Sequence, residues 1–217
     1  MKKQLIYSTI YLLGFLTTGL GVVMLIRSNF GAGPWDTTVY NLSALINISL
    51  GQGSALINGT IVVFVTLVNK KTRYIFVVIP IAGIALSLDF WDLLVLPNFN
   101  PVTIIGRSLT FLSGVFIITF GLGLVYITRY PAMVFEEFTF ALMKLFKTTN
   151  FFITRIFIET LAIVLAIIFG FLAGIGFGQV NIGSIVLALT IGPIIALQIK
   201  WLSRVRAVFE TAKVKEE

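Results

Sequence analysis

With 217 residues, 58 % of them hydrophobic and only 12 % charged, the chain is far more apolar than a soluble domain, which averages about 45–50 % apolar and about 25 % charged residues. It contains neither cysteine nor histidine, which excludes disulfides, thiolate or imidazole metal sites, cysteine nucleophiles and Ser-His-Asp triads. The formal net charge of +7 would suit nucleic acid, but the basic residues stand at the ends of apolar runs and not among stacking aromatics, so the charge is read as membrane orientation.

The first apolar run, 5–26, follows Lys2 and Lys3. Its basic start is that of a signal peptide, yet its 22 residues exceed an h-region and no A-x-A-like site follows, so it is expected to stay as a first span. Next comes "GAGPWD" (31–36) and a short polar-apolar stretch, 35–48. Apolar runs at 54–68, 74–96 and 103–128 follow. A second short stretch, 134–146, precedes the last two runs, 151–173 and 182–201. Backbone polar groups in lipid need internal partners, so the runs are predicted as helices. The two short stretches, 14 and 13 residues long, fall below the ~20 needed to cross the hydrocarbon core.

Charge decides the topology. If neither short helix crosses, fourteen of the sixteen basic residues fall on the side of the N-terminus, including Lys70, Lys71, Arg73, Arg129 and Arg155; only Arg27 and Arg107 fall on the other. By the positive-inside rule both termini are then cytoplasmic. The expected fold is an all-α integral membrane protein with six transmembrane helices and two short re-entrant or interfacial helices.

The halves resemble each other. "GLGVVMLIR" (19–27) parallels "GLGLVYITR" (121–129), and "PWDTTVYNLSALI" (34–46) parallels "VFEEFTFALMKLF" (134–146), which sets Asp36 against Glu136. Three crossings per half reverse the second half, giving an inverted 3+3 repeat, an organisation common among secondary transporters. The units are expected at 1–98 and 99–203, with a charged cytoplasmic tail at 204–217.

Several polar groups inside apolar segments are candidates for function. Gly31 and Gly33 permit unusual backbone conformations, Pro34 suits a first helical position, and Asp36 in the first turn complements the helix dipole, with Arg27 near enough in sequence to pair with it. Trp35 is either an interfacial anchor or part of a site. Together with Asn41 and Asn58, these residues are expected to bind substrate or line a pore. Glu159, one turn from Arg155 on the same face, is either half of a buried ion pair or a coupling carboxylate, with Glu136 as a further acid of this kind. Asp89 and Asp92 lack a catalytic constellation, so no enzymatic activity is expected. Gly170-x-x-x-Gly174 is compatible with close helix packing. Gln179 and Asn181 suit a vestibule or a loop cap, and Pro80, Gly83 and Gly192-Pro193 suit bends.

The Gly31, Gly33, Pro34, Trp35, Asp36 cluster behind a first span, with "GFGQVNIGSIVLALTIGPIIAL" (176–197) in the last, is similar to the YczE/YyaS/YitT group of bacterial multi-pass membrane proteins, nearest its YczE-like branch. The resemblance covers most of the chain, with G-x-G-P-W-D its distinctive motif, although Ser184 stands where the late motif has threonine. It implies a bacterial plasma-membrane protein and carries no substrate or catalytic residue. The expectation is a small transporter or permease working by alternating access. The alternative is a non-transporting accessory or assembly protein for a biosynthetic or membrane complex. The expected partners are the lipid bilayer and a small-molecule substrate, with a homo-oligomer or a membrane partner protein also open. No nucleic acid, cofactor or metal is called for.

Overall fold

The computed structural model describes residues 2–70, 76–128, 130–131 and 135–214, with side chains not described at 2–3, 136 and 205–214. Eight α-helices and no strand occur among these residues: α1 Lys2–Ser28, α2 Pro34–Ile46, α3 Leu50–Asn69, α4 Val78–Asp89, α5 Ile104–Ile127, α6 Phe135–Phe146, α7 Phe151–Leu172 and α8 Ile182–Val214. A π-helical segment, Phe90–Val95, extends α4. Six helices are long and apolar enough to span a membrane: α1, α3, α4 with its extension, α5, α7 and α8. The expected six-span, two-short-helix architecture is therefore present. Lys71, Arg73, Arg129 and the expected helix start at Val134 lie outside the described residues.

α3 begins four residues before its apolar run because Ser49 and Gln52 close a capping box, satisfying N-terminal N–H groups that lipid would leave orphaned. The head of α3 is also held by Asp89, whose carboxylate accepts hydrogen bonds from the Ser49 hydroxyl at 2.8 Å and the Gly51 N–H at 2.7 Å. The acid at the end of α4 is thus a structural clasp.

The bundle is built around an antiparallel pair, α1 and α5. Gly14 meets Val125, Thr18 meets Gly121, Gly21 meets Ile118 and Leu25 meets Gly114. A Cβ on Gly21 would overlap the Ile118 backbone, and one on Gly121 would overlap that of Thr18. Small residues let the backbones touch, which is how membrane helices gain packing energy where lipid offers no hydrophobic drive. α4 packs beside α1 and α8 beside α5; α2 lies along α7, and α6 along α3. α3 also packs along α4, whereas α7 and α8 form no comparable seam among the described residues.

The short helices pack along the spans. Successive residues on α2 follow successive turns of α7: the Thr38 hydroxyl donates to the Ala162 carbonyl at 2.8 Å, and the Asn41 amide donates to the Ala166 carbonyl at 2.7 Å. At the ~1.5 Å helical rise those carbonyls lie roughly 17 and 23 Å along a helix of roughly 33 Å. α2 therefore starts near mid-depth and runs toward the face opposite the chain termini, with Thr37, Thr38 and Asn41 fully buried. α6 starts where Phe135 meets Trp35, ring centroids 5.3 Å apart, and runs the other way beside α3. Phe138 packs on Phe64, and Lys144 Nζ donates to the Val68 carbonyl near the end of α3.

Candidate functional site

The chain reaches mid-depth through a sharp reversal after α1. Asn29 is left-handed at φ 54° and Gly31 lies at φ 107°, a conformation that favours glycine. Ser184 and Asn181 press against Gly31 and leave no space for a Cβ. Two arginines fix this corner. Arg107 donates to the carbonyls of Ser28 (2.8 Å) and Asn29 (2.5 Å), and its guanidinium sits 4.9 Å from the Phe30 ring centroid. These are the orphan carbonyls of a helix end, met by a cation as the helix dipole favours. Arg27 pairs with Asp92 at 2.6 Å, not with Asp36 as sequence proximity suggested. The reversal carries Asp36 away from Arg27, while the π segment brings Asp92 alongside it.

Where the heads of α2 and α6 meet, the bundle holds a partly open cavity of about 140 Å³. Gly33, Pro34, Trp35, Asp36, Asn58, Arg155 and Glu159 all line it. Seven of the ten candidates, spread from 33 to 159 in the chain, thus reach one space. Gly31 and Asn41 do not reach it, and the side chain of Glu136 lies outside the described residues. Asn41 is a strut: besides its bond to Ala166 it donates to the Phe177 carbonyl at 3.1 Å and accepts from the Gln179 N–H at 3.2 Å. It joins α2 to α7 and to the loop behind α7.

Within the cavity, Arg155 pairs with Glu159 at 2.8 Å one helical turn apart, with side chains 32 % and 18 % exposed. Asp36 lies back over Gly33 at the head of α2 and within electrostatic reach of Glu159. It has no cationic partner within ion-pair distance among the described residues. The Trp35 indole N–H is buried with no hydrogen-bond partner among them. Asn58 spends its amide nitrogen on the Ser54 carbonyl and hydroxyl, at 2.9 and 3.2 Å. Most of the remaining wall is aliphatic, from Val22, Ile84, Ile118, Leu122 and their neighbours.

Thr18, Ser54 and Tyr126 also line the cavity and were not among the sequence candidates. A signal for two of them was present. Ser54 stands one turn before Asn58 on α3, making a polar stripe in an apolar helix, and Thr18 falls in line with Gly14 and Gly21. Above the cavity, toward the face opposite the termini, opens a vestibule of about 620 Å³ bordered by Arg27, Asn29, Tyr40, Asp92, Asn98, Asn100 and Gln179. Ile26 and Leu50 border both spaces and are almost fully buried, so they form the partition. Gln179 thus borders the vestibule, while Asn181 caps α8 by accepting from the Ile182 N–H. Gly174 has no neighbour at the distance a packing motif requires and takes φ 74° in a loop, so Gly170-x-x-x-Gly174 is not a helix-packing seam.

Six spans, two half-depth helices meeting head to head and an ionisable cavity between them define a polytopic α-helical membrane protein. Its sequence relatives agree. The chain belongs to the family of unknown function DUF6198, whose model matches residues 5–200. It is similar to the Bacillus subtilis (strain 168) protein named "Uncharacterized protein YyaS", 25 % identical over 166 residues that cover 76 % of this chain and 82 % of that one. It is also similar to "Uncharacterized membrane protein YczE" of the same organism, 30 % identical over 125 residues that cover 57 % of each. The resemblance to the YczE/YyaS group is thereby borne out. No solved structure matches the chain.

Proposed function

We propose that the protein is a small-molecule transporter of the bacterial plasma membrane, working by alternating access between two inverted halves, with the central cavity as its binding site. One observation carries this reading: two helices that stop at mid-depth meet head to head at a cavity containing Asp36, Arg155 and Glu159. Discontinuous helices around a midplane site recur among transporters; here the positive dipole ends of α2 and α6 are met by acids in their own first turns, Asp36 and Glu137. Ionisable groups at such depth are costly, and their usual justification is a substrate or ion path. The packing supports the repeat: α1 with α4 corresponds to α5 with α8, and α2 with α7 to α6 with α3. With both termini cytoplasmic, the vestibule faces outward and Ile26 with Leu50 form a closed outer gate.

The rival, an accessory protein with a sealed core, is separated by accessibility. A cysteine placed at Asn58 is the only thiol in this cysteine-free chain. In spheroplasts and inverted vesicles, a membrane-impermeant maleimide labels it from both sides if access alternates. Protection from both sides would support the accessory reading and overturn ours.

A further inference from the structure

Given that binding role, the chemistry of the cavity selects its guest. Charge comes first. Arg155 is already committed to Glu159 at 2.8 Å, whereas Asp36 has no cation of its own within ion-pair distance among the described residues. One carboxylate is therefore left to be neutralised by a proton or by the cation of a guest, since a buried charge is tolerated only when paired. The hydrogen-bonding groups point the same way. Asn58 uses its amide nitrogen within α3 and has its carbonyl oxygen to offer as an acceptor. Thr18 spends its hydroxyl hydrogen on the Gly14 carbonyl, leaving oxygen lone pairs. The Trp35 N–H is buried in the wall, so that residue contributes its ring, beside Phe135, and aromatic faces attract cations.

Size and polarity complete the description. Apart from Ser54 and Tyr126 the remaining wall is mostly aliphatic, and about 140 Å³ is close to the engineered apolar cavity of roughly 150 Å³ that admits benzene. We propose that the cavity takes a small hydrophobic monocation: an amine with an apolar body of benzene size, its ammonium held by Asp36 and the Asn58 carbonyl. An anion would meet Asp36 without a free counter-charge, and a neutral body would leave the carboxylate to be neutralised by a proton alone.

Three nearly isosteric probes test this on the full chain in nanodiscs. Benzylammonium, benzyl alcohol and benzoate carry charges of +1, 0 and −1 on the same ring. Isothermal titration at neutral pH is expected to rank benzylammonium at least tenfold tighter than either of the others. Asp36→Asn is expected to remove that preference, and Asn58→Leu, which leaves the carboxylate in place, to weaken benzylammonium severalfold. The wild-type ranking stands even if a variant fails to fold. Benzoate binding as well as or better than benzylammonium, three equal affinities, or no binding of any probe would overturn the proposal. The transport reading fails separately. If benzylammonium binds but its flux into proteoliposomes does not exceed that of protein-free vesicles, the ligand class stands and transport does not. If benzoate alone is carried, transport stands and the ligand class is overturned.

Discussion

Asn41 and Asp36 lie on one short helix and have opposite destinies. Asn41 is saturated by two carbonyls and one N–H, so its polarity serves architecture. Asn41→Ala leaves the Phe177 carbonyl and the Gln179 N–H without that partner. Each buried group left unsatisfied costs about 1–3 kcal/mol, so a clear loss of thermal stability in detergent is expected, and an unchanged midpoint would remove Asn41 from this role. The Arg27–Asp92 pair is partly exposed, and pairs of that kind contribute about 0.2–1 kcal/mol. A double-mutant cycle with Arg27→Gln and Asp92→Asn is expected to return a coupling in that range. These partnerships were not legible in the sequence. The partner of Arg27 lies 65 residues away, and that of Asn41 comes from a helix 125 residues on. Local spacing proposed Asp36 for the first and a pore for the second.

At the scale of elements, hydrophobic run length located all six spans, and shortness flagged the two that do not cross. Run length is legible because the bilayer sets it. Whether the short helices re-enter was not legible, since that depends on which carbonyls of α7 receive Thr38 and Asn41. Helix starts shifted where capping, not hydropathy, ruled, as at Ser49. The α1–α5 seam makes a graded prediction. Gly21→Ala is expected to lower the melting temperature measurably and Gly21→Leu to abolish recovery of folded protein, because the Ile118 backbone blocks even a methyl group. Equal yields for both would show that the seam opens without cost. Gly59, with nothing near its missing Cβ, is the matched control and tolerates alanine.

For the whole molecule, the charge count commits to one orientation. A cysteine at Lys70 is expected to react with an impermeant reagent only from the cytoplasm, and one at Asn98 only from outside. The reverse pattern would turn the vestibule inward. Of the candidate site, the sequence located GAGPWD and the Arg155–Glu159 pair, because charge and proline inside apolar helices are conspicuous. Thr18 and Ser54 left only a faint signal and Tyr126 none, because hydroxyls are common in membrane helices and satisfy themselves on the preceding turn, as Thr18 does on Gly14.

The uneven packing of the helices has a consequence for motion under the proposed repeat. α3 rests along α4, whereas α7 and α8 form no such seam among the described residues; in the repeat proposed above these are corresponding pairs, and the two units then hold different postures. If the copies trade postures, the seam between α3 and α4 must part as the one between α7 and α8 shuts, with the α1–α5 pair as the axle. Spin labels on Leu67 and Ile79, and a second pair on Phe157 and Leu197, all on exposed side chains, convert this into distances. In pulsed electron resonance the first pair should lengthen in the same population in which the second shortens. Two single, ligand-insensitive distances would mean that the asymmetry is a fixed property of the fold.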